Sequence, residues 1–224
     1  MMKGETMAAQ RGGAEELRIL EAQLDRMRGM LFAYSNLFFR HITIWGIVSV
    51  ALLTISTQSG AAPVASLVLF VVPFAFLEAG YYFYYTVFAR RHAEFIERTL
   101  NARTGRETLV AHKLEAAYFY PPEAPKLALL SFGRLSGYTS AMTIGYSIAA
   151  LLLWGAAANL TMAQVTAGSI GVIVPALAVV WTLLVTAYLL WHFLSRRDEE
   201  RLLAALRVAY PDAVGSRGRA RSGR

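Results

Sequence analysis

The segment VASLVLFVVPFAFLEAGYYFYYTVFARR, residues 64–91, decides the fold. Its first 25 residues contain a single charged side chain, Glu78, and the pair Arg90 and Arg91 ends the segment. About 20 consecutive apolar residues are enough for an α-helix to cross the hydrocarbon core of a bilayer. The segment therefore predicts a transmembrane helix that leaves the membrane near its arginine pair.

Three further apolar segments of similar length indicate a polytopic membrane protein. Of the 224 residues, 56% are apolar, more than the interior of a soluble domain of this size can bury. The predicted spans are residues 42–59, 64–88, 138–158 and 168–194, within a transmembrane domain of residues 41–194. We therefore expect an all-α integral membrane protein whose four transmembrane helices form two hairpins.

The basic residues predict the orientation of the chain in the membrane. All 22 Lys and Arg residues fall before Ile42, between Ala89 and Gly137, or after Leu194, in groups of six, eight and eight. Short loops rich in Lys and Arg stay on the cytoplasmic side, so both termini and the loop of residues 89–137 should be cytoplasmic. Because arginine outnumbers lysine nineteen to three and alanine is abundant, we expect a bacterial chain and an inner-membrane location.

Membrane topology is a sufficient explanation for the net charge of +7. Basic residues beside a span attract the anionic lipids of the inner leaflet. The candidate membrane-interface residues are Arg90, Arg91, Arg196 and Arg197. We expect anionic lipid as a partner and no nucleic acid, because aromatic residues are not interleaved with the basic runs.

The cytoplasmic segments are predicted to be helical, with flexible ends. Residues 14–40 should form an amphipathic helix that leads into the membrane, and residues 195–210 a second helix after the last span. A helix is also expected over residues 89–101. Residues 1–13 and the basic tail of residues 211–224 have the composition of disordered segments.

Apolar residues at steps of three and four give residues 14–40 a coiled-coil-like seam. The seam consists of Leu17, Leu20, Leu24, Met27 and Leu31. It can pair with a second copy of the chain, which makes it a candidate self-association surface. It can also pack against another cytoplasmic helix of the same chain, and the pattern leaves both alternatives open.

Glu78 is the unusual residue of the second span. It lies twelve residues before Arg90, about 18 Å along a helix, which predicts a position near the membrane midplane. A carboxyl group there is costly and should face polar groups, such as Tyr82 one turn away. One face of the third span carries small hydroxyl residues: Ser140, Thr143 and Ser147. We expect Glu78 to point toward this face.

This candidate intramembrane polar site has two interpretations. It can be a satisfied hydrogen-bond network that fixes the register of the helices, or a site that binds protons or cations on a transport pathway. No catalytic residues are expected, since the chain has no cysteine, no HExxH motif, no glycine-rich phosphate loop and no Gly-x-Ser-x-Gly motif. Its four histidines lack ligand spacing, so we expect no metal and no cofactor.

These features favour a protein that acts by association. We expect a non-enzymatic multi-pass protein of the bacterial inner membrane whose cytoplasmic helices support self-assembly or bind a protein partner. The alternative is a small transporter or channel, linked to protons or cations, that uses Glu78. Four spans rarely enclose a pathway alone, so the alternative requires a homo-oligomer.

Overall fold

The computed structural model describes the backbone of residues 2–58, 60–119, 126–127, 130–131, 138–195 and 197–213. Side chains are described over residues 13–58, 60–115, 141–142, 144–195 and 197–213. The α-helices are α1 (Met2–Ser56), α2 (Ala65–Thr104), α3 (Ala111–Phe119), α4 (Tyr138–Thr166), α5 (Ile173–Ser195) and α6 (Arg197–Ala209). A 3₁₀ turn (Ala62–Val64) precedes α2, and β1 (Lys126–Leu127) pairs antiparallel with β2 (Leu130–Ser131).

Four of these helices match the predicted membrane-protein class. Helices α1, α2, α4 and α5 each contain a stretch that is long and apolar enough to cross a membrane. In a bilayer a helix satisfies its own backbone hydrogen bonds, which explains why the long apolar segments are helical. The prediction of a helical, multi-pass membrane protein is therefore confirmed.

Helix α1 is longer than the sequence pattern predicts. It runs without interruption from Met2 to Ser56 and includes the segment 2–13, for which disorder was the prediction. No proline occurs between these ends, and Ala8, Ala9 and Gln10 are good helix formers.

The connection between α4 and α5 lies further along the chain than predicted. Helix α4 continues past residue 158 to Thr166, and α5 begins at Ile173. Gly168 has a φ of +72°, and the N–H of Ser169 donates to the carbonyl oxygen of Gln164 at 2.9 Å. This left-handed glycine and its hydrogen bond form a helix C-terminal motif.

Contacts divide the chain into two compact units, and α1 and α2 contribute residues to both. Unit 1 comprises Met1–Ser35, Tyr84–Tyr118 and Arg197–Arg224. Unit 2 comprises Asn36–Phe83 and Phe119–Arg196. The most apolar part of the chain falls in unit 2, and most charged side chains fall in unit 1.

The core of unit 2 is made by small and branched side chains of neighbouring helices. Val68 of α2, Ala157 of α4 and Ala178 of α5 are fully buried in one cluster, against which Leu52 and Leu53 of α1 pack. Small residues let transmembrane helices approach closely. Gly80 shows the same principle, since a Cβ atom there would lie 3.1 Å from Cδ2 of Leu189 on α5.

The core of unit 1 buries the predicted seam within the chain. Leu20, Leu24 and Met27 of α1 are buried against Ile96 and Leu100 of α2, with Leu17 at the edge and Leu31 half-buried. Of the two alternatives for the seam, the structure therefore has the intrachain one. In this conformation the three central seam residues are not available to a second copy.

The structure describes the chain beyond α6 as far as Ala213, within the segment for which disorder is predicted from residue 211. Ala213 is buried against Phe95 and Leu206. Asp212 forms an ion pair with Arg103 at 3.1 Å. The rest of the predicted basic tail, residues 214–224, lies outside the described residues.

Candidate functional site

Glu78 lies at the centre of a polar cluster in unit 2. We name Glu78, His41, Trp45 and Tyr82 the Glu78 cluster. Nδ1 of His41 is 2.8 Å from Oε1 of Glu78, and Nε1 of Trp45 donates to Oε2 at 2.5 Å. The hydroxyl of Tyr82 is 3.4 Å from Oε1 of Glu78 and 3.4 Å from Nε2 of His41. His41 and Trp45 are one turn apart on α1, so a single helix face supplies both donors.

The geometry assigns a proton to Nδ1 of His41, because that nitrogen faces a carboxylate oxygen. A neutral imidazole with this tautomer leaves Nε2 as an acceptor for the Tyr82 hydroxyl. Trp45 and Tyr82 are neutral donors. The hydroxyl of Tyr82 has one proton and lies within reach of both Oε1 of Glu78 and Nε2 of His41, so it donates to one of them at a time. The side chain of Glu78 is still 23% exposed.

The contact between α1 and α2 bears on the predicted depth of Glu78 in the membrane. The contact between His41 and Glu78 places Arg40, the neighbour of His41, at about the same depth as Glu78. Arg40 is exposed, and an arginine deep in hydrocarbon is costly unless its head group reaches the interface. Arg40 is thus a second marker of depth beside Arg90, and the midplane position of Glu78 stays a prediction.

The hydroxyl residues of the third span are not among the described hydrogen-bond partners of Glu78. The described hydrogen bonds of Glu78 come from α1 and from Tyr82 on its own helix. Ser147 lies half-buried on α4, and the side chains of Ser140 and Thr143 lie outside the described residues. The expectation that Glu78 faces the third span thus gives way, among the described contacts, to pairing with α1.

An open apolar groove of about 400 Å³ begins one turn from Glu78. Its walls are Trp45, Phe70, Val71, Phe74 and Trp181. Trp45 and Phe74 meet edge to face with ring centroids 5.5 Å apart. Trp181 donates to the carbonyl oxygen of Phe70 at 3.2 Å, in the turn of α2 that Pro73 disrupts.

A second buried carboxylate organises unit 1. Oε1 of Glu97 accepts from Arg28 at 2.5 Å, and Oε2 accepts from the backbone N–H of His112 at 3.2 Å and lies 2.9 Å from its Nδ1. Burial opposes ionisation of Glu97, but the bonds from His112 and Arg28 outweigh it and lower its pKa from 4.5 to about 2. Glu97, Arg28 and His112, the Glu97 network, thus join α1, α2 and the first turn of α3.

Two further side chains of α2, Asn101 and His92, form hydrogen bonds with other segments of unit 1. Oδ1 of Asn101 accepts from the backbone N–H groups of Thr108 and Leu109 at 3.1 and 2.9 Å, which fixes the α2–α3 loop. Nε2 of His92 lies 2.7 Å from the hydroxyl of Tyr210, the residue that follows α6. Burial lowers the pKa of His92, whose Nδ1 is buried without a hydrogen-bond partner in the described part of the chain.

The predicted interface arginines have partners within unit 1. Arg91 binds Glu199 of α6 at 2.6 Å and Glu94 at 3.1 Å. Arg90 lies 3.5 Å from Glu115 of α3. Arg197 is exposed, and Arg196 lies outside the described residues. Arg90 and Arg91 thus have carboxylate partners within the chain, and their contact with lipid stays a prediction.

Comparison with known proteins assigns no function to these clusters. No family model, no curated protein and no solved structure matches this chain. Among the described residues, no group of three or more His, Cys, Asp or Glu side chains could hold a metal ion. Function therefore has to be argued from the geometry of the chain itself.

His41, Trp45, Arg28 and His112 are the site residues that the sequence analysis missed. His41 and Trp45 are four residues apart, which puts them on one face of α1. That spacing was the available signal for a pair that binds Glu78. Arg28 and His112 carried no comparable signal, because they lie 69 and 15 residues from Glu97.

Proposed function

We propose that this chain is a non-enzymatic multi-pass protein of a bacterial inner membrane, with both termini cytoplasmic, that acts by association through unit 1. The distribution of Lys and Arg supports the orientation. The Glu97 network and the ion pairs of Arg91 support a preorganised helical unit, suited to present a fixed surface.

The outer face of α1 is the observation that carries this proposal. Opposite the buried seam, α1 exposes a stripe of mostly small or apolar residues at steps of three and four: Ile19, Ala22, Arg26, Gly29 and Ala33. Ile19 is 51% exposed. Small side chains on one helix face allow a second helix to approach closely, so self-association through this stripe is the first form of assembly to test.

Disulfide cross-linking tests this surface cleanly, because the chain has no cysteine of its own. We expect Ala22→Cys to give a covalent dimer on mild oxidation in native membranes, since equivalent stripe residues face each other across a parallel pair. The matched control is Glu21→Cys, which is exposed but lies about 100° around α1 and should stay monomeric.

Two results together would contradict assembly through this stripe. One is the absence of cross-links from cysteine at position 19, 22 or 29. The other is a strictly monomeric native chain in nanodiscs. Cross-linking of Ala22→Cys to a different protein would instead support the partner-binding form of the proposal.

The second candidate function is proton- or cation-linked transport by an oligomer, and the contact between His41 and Glu78 favours it. A carboxylate and an imidazole 2.8 Å apart can exchange one proton, and both side chains are about a quarter exposed. A purely structural network needs no such exposure. Tyr82 extends the hydrogen-bonded chain by one hydroxyl.

Flux measurements in proteoliposomes test this candidate. We expect proton or cation flux from the native chain and at least a roughly tenfold loss in Glu78→Gln, because the amide cannot carry the proton. Glu21→Gln, the same change at an exposed position of unit 1, should leave flux unaltered. A native chain without flux across a pH series, or equal flux in native protein and Glu78→Gln, would remove the transport candidate.

A further inference from the structure

We propose that unit 2 binds an ordered water molecule between the buried side chains of Thr161 and Gln164 on α4, beside the turn that joins α1 to α2. The ligand is a neutral molecule that both donates and accepts hydrogen bonds. The site goes beyond the two candidate functions and depends on neither of them.

Thr161 and Gln164 lie on the buried face of α4. Ala157, Thr161 and Gln164 follow at steps of four and three, and their exposed fractions are 0%, 0% and 9%. The side-chain NH2 group of Gln164 donates to the carbonyl oxygen of Ala62, in the 3₁₀ turn before α2. This bond fixes the amide of Gln164 and leaves its oxygen, Oε1, for another partner.

Two oxygen atoms of this face are buried without a protein partner. Oγ1 of Thr161 and Oε1 of Gln164 form no hydrogen bond within the part of the chain that the structure describes. An unpaired polar atom in the interior is costly, and native proteins supply its partner either from the chain or from ordered water. The pair is therefore a candidate site for water.

The hydroxyl of Thr161 is also oriented differently from those of other helical threonines. Thr54, Thr99 and Thr182 each donate to the carbonyl oxygen four residues earlier, at 2.8 to 2.9 Å. Such a bond satisfies a hydroxyl within its own helix. The described hydrogen bonds include none from Thr161 to Ala157. Its hydroxyl thus remains available for a partner outside the helix backbone.

One water molecule satisfies both oxygen atoms. Residues three apart on a helix have Cβ atoms roughly 5 to 6 Å apart, about the span of two hydrogen bonds through one water oxygen. The water donates to Oε1 of Gln164, which can only accept, and it pairs in either direction with the hydroxyl of Thr161. Buried waters generally have two to four polar partners of this kind.

The neutrality of the surroundings favours water over a cation. Thr161 and Gln164 carry no charge, and neither do Ser56 and Ser66, the buried polar side chains on either side of the α1–α2 turn. A cation enclosed by neutral groups in an apolar domain loses its hydration without gaining a counter-charge. Water has no such cost.

Equilibrium unfolding of the full chain in mixed micelles tests the site, followed by the fluorescence of its four tryptophans, all of which lie in unit 2. We expect Thr161→Val to raise the unfolding equilibrium constant at least about fivefold, because the water loses a partner and Oε1 of Gln164 is left unpaired. A hydroxyl that binds nothing predicts the opposite sign, since valine would then remove a cost. Thr182→Val is the matched control and should change the constant by less than about twofold, because its hydroxyl bonds within its own helix.

Water-edited solid-state NMR of the chain in lipid bilayers detects the water directly. The side-chain amide of Gln164 is buried, yet it should receive magnetisation from water nearly as fast as the exposed amide of Gln23. Transfer should slow several-fold in Thr161→Val, and the loss of the signal in Gln164→Leu assigns it.

Three results would overturn the site. They are a neutral or stabilising Thr161→Val, slow transfer from water to Gln164 in the native chain, and greater stability in sodium chloride than in choline chloride at equal concentration, which would assign a cation instead. If Thr161→Val does not fold, judged by size-exclusion chromatography and helical circular dichroism, the transfer rate in the native chain decides. Thr161→Ser keeps the hydroxyl and should then match the native rate.

Discussion

Replacing Glu97 by glutamine should release α3 from the rest of unit 1 and make it the first segment to exchange its amide hydrogens. The side chain of Glu97 is 3% exposed and holds Arg28 and His112 at once. Glutamine keeps one acceptor oxygen but places an NH2 group at the position of the other, so one set of donors loses its acceptor and the charge is lost, at a cost of roughly 2 to 4 kcal/mol in local stability. Hydrogen exchange in residues 111–115 should accelerate by about 30- to 700-fold.

The same network predicts how the stability of unit 1 depends on pH. The pKa of Glu97 is lowered from 4.5 to about 2 in the folded chain, so the folded state favours the ionised carboxylate. That stabilisation, about 3 kcal/mol, is fully present above pH 4.5 and is lost as pH falls toward 2. Glu97→Gln should lack this acid-dependent loss, because its side chain does not titrate.

Glu21→Gln is the matched control, since it makes the same chemical change on an exposed face of α1. It should shift stability by less than about 0.5 kcal/mol. Unchanged hydrogen exchange of α3 in Glu97→Gln would contradict the network. The same protection at pH 3 and pH 7 in the native chain would contradict the pKa shift.

Hydropathy predicted the class of the fold because the bilayer constrains it strongly. Apolar stretches that cross a membrane must be helical, so α1, α2, α4 and α5 follow from composition. Their ends depend on weaker local signals. The third span was predicted to end at residue 158, whereas α4 continues to Thr166 and is followed by the left-handed Gly168.

The partners of Glu78 were harder to predict than Glu78 itself. A lone carboxyl group in an apolar segment is visible in the sequence, whereas its partner helix is decided by packing. Two helix faces could supply hydrogen-bond partners for Glu78: the hydroxyl residues of the third span, and the face of α1 that carries His41 and Trp45. The helix that comes within hydrogen-bond distance of Glu78 supplies its partners, and the packing of the helices decides which one it is.

Replacing Ile96 by alanine should destabilise unit 1 by roughly 2 to 5 kcal/mol, the usual cost of removing a buried branched side chain. Ile96 is fully buried, and it packs with Leu20, Leu24 and Met27 of the seam. Hydrogen exchange over residues 93–100 measures the change. Val208→Ala, at a side chain 84% exposed, is the control and should change exchange by less than about 0.5 kcal/mol.

Ile96→Ala also separates the two alternatives that the heptad pattern left open. Packing of the seam against α2 of the same chain predicts a loss that does not depend on the protein-to-lipid ratio, because every contact is intramolecular. A seam paired between copies would be stabilised by mass action, so its stability would rise with the density of protein in the membrane. A near-neutral Ile96→Ala combined with density-dependent protection of residues 17–31 would contradict the intrachain packing. A density-independent loss would leave the outer face of α1 as the candidate surface for association between copies.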